Sequence, residues 1–421
     1  MNVELTYPGL DPLQIPDQKL LGVYDLPREP PTDPFPVLLG RALDEPWGAP
    51  PLRRLARGKR RVVILSDDYT RTTPVRQILP AVLDELADAG VPADAVTILL
   101  ALGTHRPMTE DEIGKKLGRQ VIDSCRIVNH NWRDSASLAD LGCTESGIPV
   151  LINRIVVEAD LLIGLGHVVP HRVAGFSGGG KIVQPGVCGA ETTGRTHWLS
   201  SLMPFDSILG RRDNLVRCEI DAIARRAGLA FIVNMVQNSA GEVIGVFAGD
   251  PVSAHRKACI FSRKACSVRI PRRADVVVVE ACPADADVWQ AVKALFPAAL
   301  ALKPGGTIVL VSPCSEGISH QHPELLTFGY RPVPEIRRLQ ATGAIGDLSA
   351  AAHLAHVGEI VDERASVLFA TPGVSQEQAA QLHVGWVGSP QEGVDRTLRT
   401  LDDATVCVLR HGAELLPLMD A

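Results

Sequence analysis

Arg61-Val-Val-Ile-Leu-Ser-Asp-Asp-Tyr-Thr-Arg71 decides the fold. Val62 to Leu65 are four consecutive large aliphatic residues, and a short apolar run bounded by polar residues reads as a strand buried on both faces. Directly after it come Asp68, Thr70 and Arg71. Pro74 to Ala89 then carries apolar residues at helical spacing and stops at Gly90. Ala95 to Ala101 is a second buried strand, ending at Gly103-Thr-His105-Arg-Pro107, and Thr109 to Leu117 a second helix with an acidic first turn. Strand and helix in alternation imply a parallel sheet. Both polar clusters lie past carboxyl ends of strands, where open α/β sheets bind ligands.

Working outward, the proline-rich stretch Pro27 to Pro51 is expected to be an extended wrap or linker. On the other side, strands are expected near Ile155 and over Leu161 to Leu165. Ala230–Val236 and Val243–Phe247 should pair as a hairpin around Ser239-Ala-Gly241. A boundary is expected near 266–274, where Arg269-Ile-Pro-Arg-Arg-Ala274 meets the strand Asp275-Val-Val-Val-Val-Glu280. The pattern then restarts: helix Val288–Leu302, strand Thr307–Val311, helix Pro334–Thr342, strand Val367–Ala370, helix Gly393–Leu401, strand Thr405–Leu409. The expected fold is α/β, with two α/β domains, largely parallel sheets and an interdomain active-site cleft. Residues 1–268 would form the N-terminal domain, and 269–421 a smaller C-terminal domain contributing Gln290 and Lys293. No internal repeat or low-complexity tract is visible.

Composition limits the function classes. A chain of 421 residues exceeds one typical core, and 46% hydrophobic residues suffice for two. Net charge is −6 with both signs interspersed, which offers no footprint for nucleic acid or an anionic membrane. No apolar run reaches the length of a membrane span. The first residues, Met-Asn-Val-Glu-Leu-Thr-Tyr-Pro, lack the basic start and apolar core of a secretory signal. Nine cysteines without a CxxC pair read as reduced thiols, so a cytoplasmic location is expected.

The block His171-Arg-Val-Ala-Gly-Phe-Ser-Gly-Gly-Gly-Lys181, with His197 sixteen residues beyond the lysine, is the richest in chemistry. Gly175 and Gly178 to Gly180 would leave backbone N–H groups open around one lysine, with a histidine on either side. Gly175 to Lys181 also fits the first seven positions of a phosphate-binding loop, but position 182 is Ile, where a hydroxyl should hold Mg²⁺. His167-Val-Val-Pro-His171 has the spacing of a helical metal pair. Pro170 disfavours that helix and no glutamate follows the first histidine, so zinc hydrolysis fits poorly.

Taken together, Ser66-Asp-Asp68-Tyr-Thr70-Arg71, Gly103-Thr-His105-Arg-Pro107, the block from His171 to Lys181 with His197, and Gln290-Ala-Val-Lys293 resemble, in order and spacing, the nickel-dependent lactate racemase family. The resemblance extends over most of the chain, including Gly245-Val-Phe-Ala-Gly-Asp250. It implies nickel held in a nickel-pincer nucleotide, a pyridinium-3,5-bisthiocarboxylic acid mononucleotide tethered to Lys181. His197 would be the protein ligand to the metal. It implies His105 and His171 as paired acid/base groups, and Arg71 and Lys293 on the substrate carboxylate or oxyanion. Asp68, Thr70, Gly178, Gly179 and Gln290 would surround the cofactor.

These residue types suit the inversion of a 2-hydroxy acid. Its C–H is too weakly acidic for simple deprotonation, whereas passing hydride to a pyridinium ring through a 2-keto acid avoids a carbanion. Histidine removes a hydroxyl proton near neutrality, and arginine's planar fork fits a carboxylate. Three departures bear on substrate: Trp289 stands where the lactate enzyme has tyrosine, Gly180 replaces an arginine, and Leu348 stands where a tryptophan aligns. Trp289 and Leu348 are therefore expected to line the substrate pocket, and lactate itself is not assumed. The expected partners are a small-molecule 2-hydroxy acid and the proteins that make the cofactor. A nucleotide-dependent phosphotransferase and a non-catalytic cofactor or hydroxy-acid binder are the competing classes.

Overall fold

The computed structural model describes residues 1–420. The chain forms two compact units, one of Arg28–Ser200 with Gly210–Ala265, the other of Met1–Pro27, Ser201–Leu209 and the residues from Cys266 onward. The last crossing falls between Ala265 and Cys266, where the expected division was 268/269. The division differs in that residues 1–27 and 201–209 belong with the C-terminal part. For the first segment the cause is pairing: Leu20–Tyr24 runs parallel beside Val406–Leu409 at a sheet edge, and Thr6 donates its N–H and hydroxyl to Glu280 Oε1 at 2.6 and 2.8 Å.

In the first unit a six-stranded sheet runs in the spatial order Val243–Gly249, Leu229–Gln237, Leu161–His167, Val62–Asp67, Val96–Ala101, Arg126–Asn129. All neighbours are parallel except the first two, which make the expected antiparallel hairpin. The Val62–Asp67 strand is buried along its whole length because alternate residues serve two cores. Val62 and Ile64 pack with Leu79, Val82 and Leu86 on one face. Val63 meets Val150, Ile182 and Ile223 on the other. Burying each such side chain contributes about 1.5–3 kcal/mol. The order of strands reverses between Val62–Asp67 and Leu161–His167, and the crevice at such a switch point is the usual ligand position.

The second unit repeats the plan with six parallel strands, in the order Gly385–Trp386, Ala365–Ala370, Leu302–Val311, Ala274–Glu280, Val406–Leu409, Leu20–Tyr24. The expectation of α/β units with largely parallel sheets holds in both. No helix among the described residues is long and apolar enough to cross a membrane.

Several local expectations needed correction. Phe35–Asp44 is a helix within the supposed linker. Pro36 occupies its first turn, where a missing N–H costs nothing, and Leu39 and Leu43 bury against the core. The strand expected near Ile155 ends just before it, as Pro149–Asn153, and Arg154–Val157 is a short helix capped by the Asn153 side chain. The helix expected over Val288–Leu302 is broken into Val288–Ala291, a 3-10 turn and Leu295–Ala301, and Leu302 already belongs to the next strand. The last helix runs Pro390–Leu398, starting where Ser389 accepts from Glu392 N–H. Leu348–Glu363 and Ala190–Ser201 are helices the sequence reading did not place.

Candidate active site

The strand Val62–Asp67 delivers Asp68 into a tight turn in which Arg71 N–H donates to Asp68 O at 3.2 Å. Asp68 is 3% exposed. Its Oδ1 accepts from Thr70 N–H at 3.0 Å and from the Thr70 hydroxyl at 2.6 Å, while Oδ2 lies 2.5 Å from His105 Nδ1. Arg71 completes the group by donating to Thr70 Oγ1 at 3.0 Å. Burial pushes the Asp68 carboxyl up, but His105, Arg71 and Thr70 outweigh it and hold the group well below the usual carboxylate range. Asp68 is thus an ionised acceptor for His105 and not a helix cap. The following helix, Val75–Asp88, opens at Pro74 without a side-chain cap.

Beneath this group lies a pair that the sequence did not single out. Lys116, from the last turn of Glu110–Leu117, sits 2.8 Å from Asp67 Oδ1 and donates to Arg71 O at 2.8 Å. Burial raises the Asp67 carboxyl, and Lys116 and the Thr73 hydroxyl oppose that rise. The Thr109/Glu112 capping box fixes the start of the helix and so places Lys116 in its last turn. His167, at the end of the neighbouring strand, is pushed down to about 3, first by burial and then by the charges of Arg71 and Lys116. It is a neutral imidazole.

Pro170–His171 and Gly175–Phe176 form a two-stranded antiparallel turn that presents His171, which settles against a helical metal pair with His167. Gly175 is required at the turn. Its φ is +77°, and an added Cβ would meet Arg211 O at 1.9 Å. Val173 N–H donates to His171 Nδ1 at 3.1 Å. Lys181, half-buried, follows at the end of the glycine run.

The lysine loop differs from the expected ring of open amides. Gly179 N–H is taken by Asn234 Oδ1 at 2.8 Å, and Lys181 N–H by Gly178 O at 3.2 Å. Arg217, buried on the helix Leu215–Arg226, donates to the carbonyls of Ala174 (3.4 Å), Phe176 and Gly178 (3.3 Å). Asp221 lies 3.7 Å from it as counter-charge. His255 Nε2 adds a bond to Ser177 O at 2.8 Å, and its ring lies where a Cβ on Gly179 would fall, 2.6 Å from Cγ. Ile182 packs into the apolar core against Gly164, which explains why no hydroxyl stands there.

His197 lies half-buried on Ala190–Ser201, with Nδ1 2.8 Å from Thr193 O. That carbonyl accepts the Nδ1 proton, which puts the lone pair of a neutral ring on Nε2. All nine cysteines are free thiols; Cys188 is buried, and burial raises its thiol far above neutrality.

Gln290 and Lys293 belong to the second unit, just past the carboxyl end of Ala274–Glu280. Asp287 caps their short helix by accepting from Gln290 N–H at 2.9 Å. Lys293 Nζ donates to Gln290 Oε1. Trp289 is sandwiched between two imidazoles, His322 at 3.9 Å and 13°, and His353 at 4.1 Å and 7°. His322 Nδ1 lies 3.1 Å from Asp347 Oδ2, and Asp347 caps the helix that begins at Leu348. So Trp289 and Asp347, which caps the helix opening at Leu348, both meet His322 although far apart in sequence. Glu324 lies close enough to His322 and Asp347 that their ligand-type atoms fall within 4.8 Å of one another.

Fold and site define an α/β protein with two doubly wound units. One unit carries an aspartate–histidine pair past the end of its Val62–Asp67 strand, and a second histidine and a tightly braced lysine loop in the segment that follows its Leu161–His167 strand. A family model described as the lactate racemase N-terminal domain matches residues 9–205. A lactate racemase of Lactiplantibacillus plantarum is 38% identical over 282 residues, and one of Thermoanaerobacterium thermosaccharolyticum 34% over 283; each alignment spans 66% of this chain and 66% of the relative. The solved lactate racemase apoprotein of T. thermosaccharolyticum superposes with a TM-score of 0.88 at 27% identity, covering 99% of this chain and 100% of that one. The chain belongs to the lactate racemase family.

Proposed function

We propose that this protein is an isomerase that interconverts the configurations of a 2-hydroxy acid, a racemase or epimerase using a nickel-pincer nucleotide. The observation that carries the reading is His105, gripped at Nδ1 by the ionised, buried Asp68, which leaves Nε2 to take a hydroxyl proton. The donor set fits the cofactor. His197 has its Nδ1 engaged by a carbonyl and offers Nε2 to nickel, for which imidazole is a normal ligand. Lys181 stands on a loop whose carbonyls are fixed by Arg217 and would carry the covalent tether. When bound, the cofactor supplies the acceptor and donor of hydride, so that the substrate passes through a 2-keto acid.

The chain's own residues supply the rest. Arg71 offers a planar guanidinium for the substrate carboxylate, and Lys293, beside Gln290, a compact positive charge for the oxygen that loses its proton. His105 and His171 are the proton-handling groups. Trp289, held rigid between His322 and His353, and Leu348 set the size of the group accepted at the substrate's far end. Each methylene gained or lost there discriminates by about 1–3 kcal/mol, so the preferred acid need not be lactate. The reading also requires partner proteins that make and insert the cofactor, and it fits a cytoplasmic enzyme.

A phosphate-binding loop loses its main support, because Asn234 occupies the Gly179 amide and Ile182 is a core residue. The test is intact mass and nickel content of wild type and Lys181→Ala, both made in a host that produces the cofactor, followed by a screen of 2-hydroxy acids for exchange of configuration. A mass increment and stoichiometric nickel in wild type, lost in Lys181→Ala, and exchange with at least one acid are expected. Absence of increment, nickel and exchange in wild type overturns the reading. Nickel and increment without exchange for any acid leaves the non-catalytic binder in its place.

A further inference from the structure

A two-sided inversion suggests two equivalent bases, yet the partners of the two histidines are of opposite kinds. At His105, Nδ1 faces a carboxylate oxygen of Asp68 at 2.5 Å. An ionised carboxylate only accepts, so Nδ1 carries a proton, and in the neutral ring the lone pair is on Nε2. At His171, Nδ1 accepts from Val173 N–H at 3.1 Å. A backbone N–H only donates, so Nδ1 carries the lone pair and the ring proton of a neutral His171 is on Nε2. Protonating His171 at Nδ1 would set two donors against each other. Both assignments follow from the partner atoms.

We propose that the two histidines are not interchangeable: Asp68 is a positioning residue that sets His105 as the proton acceptor, while Val173 N–H sets His171 as a proton-bearing donor. On the hydroxy-acid reading, the resting protein is then loaded for one hand of substrate. The enantiomer whose hydroxyl faces His105 loses its proton directly: the O–H bond breaks, an Nε2–H bond forms, and the imidazolium charge faces the Asp68 carboxylate while the alkoxide charge stays on the substrate. The opposite enantiomer meets an N–H at His171 and is held by a hydrogen bond. It reacts only after His171 moves its proton to Nδ1 or turns its ring, either of which gives up the Val173 bond. Equal and opposite acid/base roles are therefore reached during turnover and are not built into the resting site.

The tautomers are read directly by proton–nitrogen correlation spectra of the full chain without cofactor, its histidine rings labelled with ¹⁵N, at about pH 8 where an unperturbed imidazole is neutral. His105→Gln and His171→Gln identify the two signals. Expected are His105 protonated at Nδ1 and His171 at Nε2, with Asp68→Asn abolishing the His105 preference and leaving the His171 pattern as proof of an intact fold. The same tautomer on both rings in wild type, or an Asp68→Asn spectrum with His105 unchanged, overturns the proposal. Because no cofactor is present, this result is independent of whether the protein racemises anything. In loaded protein, single turnovers should start without lag from one enantiomer only, and Asp68→Asn should lower kcat by about 10²–10⁴-fold with little change in KM. Equal, lag-free turnovers from both hands would overturn the assignment of His171.

Discussion

Replacing Arg217 with methionine tests what braces the lysine loop. The guanidinium is buried and donates to three backbone carbonyls between Ala174 and Gly178, with Asp221 3.7 Å away. Burial lowers its pKa and Asp221 opposes the change, so the charge persists only because its partners compensate for lost water. Methionine keeps most of the volume and leaves the carbonyls and the Asp221 carboxylate without their cation. Breaking a buried pair from one side costs about 3–5 kcal/mol. For a unit of this size each kcal/mol shifts Tm by about 2–4 °C, so the transition of the unit carrying the loop should fall by about 6–20 °C. Calorimetry gives the shift, and hydrogen exchange should show amides 174–181 losing protection before the sheet does. A drop under about 2 °C with unchanged protection of the loop would refute the account, and the loop's shape would then have to come from its glycines alone.

Other perturbations follow from the same geometry. Gly175→Ala should destabilise the turn that presents His171 by at least about 1–2 kcal/mol from its positive φ alone, before the clash with Arg211 O is counted. By contrast Gly40→Ala, in a helix with open space around it, should stabilise by about 0.4–1 kcal/mol; denaturation midpoints compare the two. Lys116→Met should remove the positive charge that opposes the upward push of burial on the Asp67 carboxyl and cost about 3–5 kcal/mol near neutral pH. A carboxylate raised by burial destabilises above its unfolded pKa, so this loss should shrink as pH falls toward about 4, and a pH-independent loss would speak against it. His411 is raised to about 10, chiefly by its bond to Asp25 and then by Cys282. The stability it contributes is full below its unfolded value near about 6.5 and is lost as pH rises through 10. Urea titrations should show that decline in wild type, about 1.5–3 kcal/mol, and a flatter profile in Asp25→Asn.

The parallel strands were legible because burial on two faces writes itself as uninterrupted aliphatic runs, as in Val62–Leu65 and Val276–Val279. The clusters at their carboxyl ends were legible because polar residues follow such runs abruptly. Phe35–Asp44 was misread because prolines dominate its surroundings, although Leu39 and Leu43 sit one helical turn apart. Ala190–Ser201 carries little apolar contrast in Ala-Glu-Thr-Thr-Gly-Arg-Thr-His, so nothing marked the helix that holds His197. Leu348–Glu363 had the opposite difficulty, being buried over most of its first three turns, which blurs any stripe. Asp68 was expected beside the cofactor and lies on His105, a pairing across 37 residues that no local pattern encodes. Arg217 and Lys116 are two among 42 basic residues. Their importance comes from the carbonyls and carboxylate they meet, which belong to other segments. The imidazole sandwich around Trp289 joins residues 289, 322 and 353 and was equally invisible.

The edge pairing of Leu20–Tyr24 with Val406–Leu409 bears on how the chain is made. Of the six strands in that sheet, the first to leave the ribosome must wait for the last, and its hydrogen-bonding edge stays open throughout synthesis. Meanwhile the sheet from Val62 to Gly249 has all its strands in hand. Vectorial synthesis therefore favours early completion of the unit bearing the histidines and lysine, and leaves the edge of Leu20–Tyr24 unpaired until Val406–Leu409 has been made.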